Sequence, residues 1–363
     1  MERMPEFRLL RPTNLVEAAA LLAAAPEARL LAGGTDLVPN LRRGIEQPAL
    51  LIDLGAVQGF DAIGSADGGA LQMGAGVTLA RLAAGAAEAR GAGAGGSASG
   101  SADGAAGTAD PGRPSAPARP GPFAAIGEAA RAAAGPGHRS VATLGGNLCL
   151  DTRCVFYNQS EWWRAANGYC LKRGGDTCHV APQGRHCHAA FSGDLAPALI
   201  ALDAEVDLVS AKSMRRLPLA GIYRDDGAAP LVLARNELLA RVRIPAAAPG
   251  SVSGYRKARV RGAMDFPLAG VACALRLEGG AVVALRIALT GTNPQPLLLQ
   301  GTEALLGRPL DETGLAQIGK LVQKQVGPMR TTVTPAQHRR LVAAALAQRL
   351  LRELAASAAT AEP

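Results

Sequence analysis

Five of the six cysteines, Cys149, Cys154, Cys170, Cys178 and Cys187, fall within 39 residues of a 363-residue chain. With 48% hydrophobic residues the chain can bury cores of its own and needs no disulfide staples. Its first residues, Met1-Glu-Arg-Met-Pro-Glu-Phe-Arg8, carry acidic side chains and no apolar stretch, so no secretory signal is expected. No apolar run reaches the roughly 18 residues that a membrane span requires. The expectation is a soluble, cytoplasmic protein, in which clustered thiols read as metal or iron–sulfur ligands rather than as bridges.

From Cys154 onward the spacing is C-x15-C-x7-C-x8-C, without the C-x2-C knuckle of common zinc modules. Phe156, Tyr157, Trp162, Trp163 and Tyr169 lie between Cys154 and Cys170, in a chain with only 3% aromatic residues. Bulky rings that keep water away suit a redox cluster, whose potential depends on its exposure. An iron–sulfur cluster is therefore the leading reading. His179, His186 and His188 share the segment, so a Cys/His zinc site stays open, as does a metal-free loop whose rings form only a small core. Cys273, within Val-Ala-Cys-Ala-Leu, reads as an ordinary buried thiol.

The net charge is 38 − 30 = +8, yet the basic residues are scattered and only five of them are lysines. Without a Lys/Arg block or a basic–aromatic alternation, nucleic-acid binding has no support. Attraction to an acidic protein partner is compatible with the charge.

Residues from Phe7 to Leu54 read as alternating short strands and helices. A helix capped by Thr13 or Asn14 and a short strand Arg29–Ala32 precede Gly33-Gly34-Thr35-Asp36. A strand is expected from Ala70 and a helix over Leu79–Ala89. Residues 91–120 then hold Gly, Ala, Ser or Pro at 25 of 30 positions, which reads as a disordered surface insertion without function. A helix resumes at Phe123, and Ser140-Val-Ala-Thr-Leu-Gly-Gly-Asn147 follows. Beyond the Cys-rich stretch, strands are expected at Glu205–Ser210, Leu231–Leu233 and Leu239–Ile244. A Pro/Gly break near 245–254 marks a boundary. Strands at Val271–Leu277 and Ala281–Ala288 and a helix at Pro335–Leu354 complete the pattern.

Gly33-Gly34-Thr35 and Gly145-Gly146-Asn147 each follow a strand-like run. Paired glycines let backbone N–H groups approach a diphosphate, and Thr or Asn adds hydrogen bonds. Neither loop is G-x-G-x-x-G or a P-loop, so a Rossmann site has no support.

Leu30-Leu-Ala-Gly-Gly-Thr-Asp-Leu37 and Thr143-Leu-Gly-Gly-Asn147 resemble the paired flavin loops of the xanthine oxidase-like molybdenum hydroxylase medium subunits. Met73-Gly-Ala-Gly-Val-Thr-Leu79, Gly193-Asp-Leu-Ala-Pro-Ala-Leu199 and Tyr255-Arg-Lys-Ala-Arg259 fit the same family, in the same order. The resemblance implies an α+β fold: FAD subdomains at 1–55 and 56–247, an α+β C-terminal domain at 248–355 and a tail at 356–363. The Cys-rich loop at 150–190 is similar to that of 4-hydroxybenzoyl-CoA reductase flavin subunits, which binds a [4Fe–4S] cluster. Cys149 sits in the segment shared with cluster-free relatives. The resemblance thus assigns Cys154, Cys170, Cys178 and Cys187 as ligands and leaves Cys149 a buried bystander.

The same resemblance implies FAD contacts from Leu30, Leu31, Ala32, Gly33, Gly34, Thr35, Asp36, Leu37, Thr143, Gly146 and Asn147. Asp194 would accept a hydrogen bond from the flavin, and Lys257 would lie near its ring. Read without the resemblance, Asp194 is a helix cap and Lys257 a solvated strand residue. The implied activity is electron transfer from reduced ferredoxin through the cluster and FAD, within a dimer of heterotrimers. A small [2Fe–2S] subunit and a large molybdopterin subunit would follow, the latter removing the phenolic hydroxyl of 4-hydroxybenzoyl-CoA. Alternatives are the flavin subunit of an ordinary hydroxylase serving NAD or quinone, and a zinc-stabilised interaction module.

Overall fold

In the computed structural model, which describes residues 4–85, 120–262, 264–327 and 334–359, a three-stranded parallel sheet comes first. Its strands β1 (Arg8–Leu10), β2 (Arg29–Leu31) and β3 (Leu50–Asp53) run in the order β1-β3-β2. Helix α1 (Leu15–Ala24) makes the first crossover. Asn14 caps it, accepting the Glu17 N–H at 2.9 Å, while the Glu17 carboxylate accepts the Thr13 N–H at 2.8 Å. The exchange satisfies donors that no helical carbonyl can reach. Helix α2 (Leu37–Arg42) starts directly after the first glycine pair.

A five-stranded antiparallel sheet follows, ordered β4-β5-β8-β6-β7. Its members are β4 (Ile63–Ala66), β5 (Ala70–Gly74), β6 (Glu205–Val209), β7 (Met214–Pro218) and β8 (Leu238–Ile244). Because β5 pairs directly with β8, the long chain segment between β5 and β6 is carried outside the sheet. That segment holds α3 (Leu79–Ala83), α4 (Ala124–Ala132), α5 (Pro136–Arg139), α6 (Leu144–Leu148), α7 (Glu161–Ala166) and α8 (Leu195–Ala201). All of α8 is buried, and with Leu71, Met73, Val206 and Val242 it centres the first core.

Three local expectations differ. The helix from Leu79 ends at Ala83, and residues 86–119, with nearly all of the 91–120 insertion, lie outside the described residues. Leu231–Leu233 forms no strand; only Leu231 makes an isolated bridge, to Tyr223. Strand β7 was not expected, because its exposed Arg215 and Arg216 hide the alternation that burial imposes.

The C-terminal sheet is antiparallel, ordered β12-β11-β10-β9. Strands β9 (Val252–Ala258), β10 (Ala269–Glu278), β11 (Ala281–Thr290) and β12 (Leu297–Leu298) supply it. Side chains alternate between its faces. Val271, Cys273 and Leu275 join a second core with α9 (Glu312–Gln325) and α10 (Ala336–Ala359), whereas Tyr255, Ala272 and Ala288 belong to the first core. The C-terminal sheet therefore seals the underside of α8. Helix α10 runs on to Ala359 rather than stopping at Leu354, and residues 360–363 are outside the described part. The architecture is the expected α+β one. No described helix is long and apolar enough to cross a membrane.

Candidate functional site

The two glycine loops touch each other. A Cβ on Gly33 would stand 2.0 Å from the Val141 carbonyl oxygen and 2.9 Å from the Ala142 Cα, so only glycine permits the approach. Gly34 adopts φ +70°, turning the chain from β2 into α2. The second loop is fixed from beneath: the Leu144 N–H donates to the Val77 carbonyl at 2.8 Å and the Gly145 N–H to the Ala75 carbonyl at 2.7 Å. Thr143 caps α6, its Oγ1 accepting the Gly146 N–H at 3.1 Å.

Between the loops opens a cleft of about 570 Å³. Leu30, Ala32, Gly33, Gly34, Thr35, Asp36, Leu37, Thr143, Gly146 and Asn147 all line it, ten of the thirteen residues expected at the flavin. Leu31, Asp194 and Lys257 are not on its wall. Phe60, Cys149, Asp151, Tyr157 and Lys172 are, although the glycine motifs gave no signal for them.

Asp194 and Lys257 meet instead in a buried pair. Lys257 Nζ donates to an Asp194 oxygen at 3.0 Å and to the Ala132 carbonyl at 3.1 Å, and the Tyr255 hydroxyl donates to Asp194 Oδ1 at 2.6 Å. The side chains of Lys257 and Asp194 are only 3% and 6% exposed, which removes the solvated-lysine reading. Asp194 makes no side-chain cap on α8 either. Burial pushes its carboxyl up, while Lys257 and Tyr255 pull the other way. The pair reaches the cleft at one remove, because the Leu195 N–H, next to Asp194, donates to Asn147 Oδ1 at 3.0 Å.

The Cys-rich loop forms a second, smaller cavity. Cys154, Cys170, Cys178 and Cys187 all face it, walled by Phe156, Tyr157, Leu171, Lys172, His179 and Val180 among others. It is tightly closed, with a volume of only about 10 Å³, room for about one water molecule. Backbone bonds between Arg153 and Ala190, at 2.6 and 2.9 Å, pinch the loop at its base. Inside it, Ser160 caps α7, and the buried Arg164 donates to the carbonyls of Tyr157 and Gln159 at 3.1 and 2.8 Å. Tyr169, at φ +61°, delivers the chain to Cys170, and its carbonyl contacts His179 Nε2 at 2.6 Å.

Four thiols on one water-poor cavity make a donor set that fits an iron–sulfur cluster. Burial pushes the free thiols of Cys154 and Cys187 up, the latter to about 12, so occupation by a cation would displace their protons. No three described His, Cys, Asp or Glu side chains stand close enough together to hold one metal ion. His186 and His188 stack on each other at 4.2 Å, and neither lines the cavity. Cys149 is half-buried on the other cleft, where burial pushes its thiol to about 12.

Tyr157 and Lys172 line both cavities. Lys172 Nζ donates to Asp151 Oδ1 and to Thr152 Oγ1, each at 2.7 Å, and lies 4.8 Å from the centre of the Tyr157 ring. Arg153 at the loop's base forms an ion pair with Asp36 of the first glycine loop and covers the Phe266 ring at 5.0 Å. The Arg153–Asp36 pair thus ties the loop to the first cleft by charge, while the Lys172–Asp151 pair lies within the loop itself.

Residues 5–247 match the FAD-binding domain in molybdopterin dehydrogenase, and residues 253–354 match the CO dehydrogenase flavoprotein C-terminal domain. The chain is 29% identical to the aldehyde oxidoreductase FAD-binding subunit of Escherichia coli (strain K12), over 84% of this chain and 87% of that one. It is 26% identical to the carbon monoxide dehydrogenase medium chain of Hydrogenophaga pseudoflava, over 84% of this chain and 81% of that one. A solved carbon monoxide dehydrogenase from that organism superposes with a TM-score of 0.72 at 23% identity, covering 98% of this chain and 99% of that one. Quinoline 2-oxidoreductase from Pseudomonas putida 86 follows at 0.69 and 22%, covering 98% and 99%. At these identities the superpositions show the shared fold.

Proposed function

The chain belongs to the FAD-binding medium subunits of the xanthine oxidase-family molybdenum hydroxylases, and from that premise we propose that it holds a [4Fe–4S] cluster beside its FAD. The observation that carries this reading is the convergence of Cys154, Cys170, Cys178 and Cys187 on one cavity that shares Tyr157 and Lys172 with the flavin cleft. A mononuclear zinc site would need thiolate and imidazole donors within about 2.0–2.3 Å of a single ion. No three described His, Cys, Asp or Glu side chains meet that requirement, and His186 and His188 stand off the cavity wall, which leaves the zinc alternative without a donor set.

The bound groups would supply one- and two-electron transfer, which the side chains themselves cannot perform. The chain's part is to position and insulate. Gly33, Gly34 and Thr35 with Thr143, Gly146 and Asn147 form the concave backbone on which a diphosphate and its ribityl chain would rest. Leu30 and Leu37 close the cleft's apolar side. We assign Asp194 and Lys257 to holding the second loop through Leu195 and Asn147, which places their effect on the flavin at one remove. Phe156, Leu171 and Val180 keep water from the thiolates, and Cys149 serves the flavin cleft.

The finer reading is a 4-hydroxybenzoyl-CoA reductase-like complex. Reduced ferredoxin would deliver electrons to the thiolate cavity, and a small [2Fe–2S] subunit and a large molybdopterin subunit would receive them from the flavin. There the phenolic hydroxyl would leave as water against two electrons and two protons. The support for this is the Cys-rich loop itself, since a subunit that only drains electrons from a hydroxylase has no need of a fourth group.

The test is iron content in two serine variants. Cys170→Ser is expected to lose iron while retaining flavin, and Cys149→Ser to keep both. Iron retained in Cys170→Ser and lost in Cys149→Ser would overturn the ligand assignment.

A further inference from the structure

Lys172 is the one Lys, Arg, Asp or Glu among the described residues on the wall of the thiolate cavity, and it lines the flavin cleft as well. Its side chain is 6% exposed. Four contacts hold its Nζ in place: Asp151 Oδ1, the hydroxyl and the carbonyl of Thr152, and the face of the Tyr157 ring. Thr152 is itself fixed, its hydroxyl donating to the Gly227 carbonyl at 2.6 Å. Such a side chain does more than fill space. A flexible lysine at a surface would be screened by water, whereas this ammonium acts through a low-dielectric wall on both sides.

We infer that the Lys172 ammonium, trimmed by the Asp151 carboxylate, sets the reduction potentials of both sites together and so keeps them in step. This rests on the function proposed above. Four thiolates around an iron–sulfur core carry net negative charge, and each added electron increases it. Reduced flavin likewise gains negative charge when it is not fully protonated. A cation in the common wall favours the reduced form on either side, so it raises both potentials. Asp151 lines only the flavin cleft and is 40% exposed. It offsets part of the cation's charge without replacing it. Electron passage between the sites depends on the difference between their potentials, and a shared cation moves that difference less than it moves either value.

The test is an anaerobic redox titration of the purified, cofactor-loaded protein, with flavin followed by visible absorbance and iron–sulfur by electron paramagnetic resonance. Lys172→Met removes the charge at similar length, Lys172→Arg retains it, and Asp151→Asn removes its counter-charge. Lys172→Met is expected to shift both potentials to more negative values, Asp151→Asn to shift both the opposite way, and Lys172→Arg to stay near the wild type. Should Lys172→Met fail to load iron, Asp151→Asn decides, because it leaves the cavity's own wall intact. Potentials that stay put in fully loaded variants, or shifts of one site alone, would overturn the inference. Wild-type protein holding flavin but no iron would instead refute the cluster reading, and the flavin titration would still report whether Lys172 acts across its wall.

Discussion

At Gly33 the fold tolerates no side chain. The obstacle is the Val141 carbonyl of the facing loop rather than backbone strain at Gly33 itself, since a Cβ would sit 2.0 Å from that oxygen. Gly33→Ala must push the two loops apart, and overpacking of this kind costs about 1–3 kcal/mol. The expected outcome is a lowered Tm and flavin lost on gel filtration; a variant that retains stoichiometric flavin would contradict the contact. A second residue-scale prediction concerns the Asp194–Lys257 pair. Removing one partner of a buried, hydrogen-bonded ion pair costs about 3–5 kcal/mol, because the other charge is left uncompensated. Lys257→Met should therefore unfold at clearly lower denaturant, and adding Asp194→Asn should recover part of the loss in a double-mutant cycle. A solvated lysine would give almost no change. The sequence alone could not separate these cases, since Asp194 and Lys257 meet only once α8 has packed on the C-terminal sheet that carries β9.

Among the elements, those with a strong local signal were legible. Asn14 ahead of an Ala/Leu-rich run marks α1, and the apolar alternation of β10 and β11 marks the C-terminal sheet. Strand β7 was not, because its side chains are largely exposed and its place is set by pairing with β6. Helix α9 also went unread, although Asp311 caps it by accepting the Gly314 N–H at 2.8 Å. The Cys-rich loop is the element whose attachment no local pattern announces. Arg153 ties it to Asp36 and Phe266 as well as to Ala190. A hydrogen bond to a charged partner contributes about 1.5–3 kcal/mol. Arg153→Met should accordingly speed amide hydrogen exchange in 154–188 by roughly tenfold or more while leaving the C-terminal sheet unchanged. Unchanged exchange throughout would mean that the backbone bonds at the loop's base suffice.

For the molecule as a whole, two cores divide the labour. The first encloses α8 and supports both glycine loops, and the second gathers α9 and α10 on the outer face of the C-terminal sheet. Tyr255, on β9 but within the first core, is tied to the start of α8 through Asp194, so the C-terminal sheet braces the cleft from below. The glycine loops and the clustering of the cysteines were legible from motif and spacing, because both are written in residue types. Their adjacency was not: the common wall of Tyr157 and Lys172 exists only once the loop is folded back over the first cleft. That adjacency is the centre of the account, and it has meaning only if the four thiols hold iron. The most direct measurement is iron, acid-labile sulfide and zinc per flavin on anaerobically purified protein. About four iron and four sulfide per FAD, with zinc near zero, is the result the account predicts for a [4Fe–4S] cluster. Flavin at full occupancy with neither iron nor sulfide, and above all with zinc in their place, would contradict it and leave the Cys-rich loop a structural attachment to an ordinary flavin subunit.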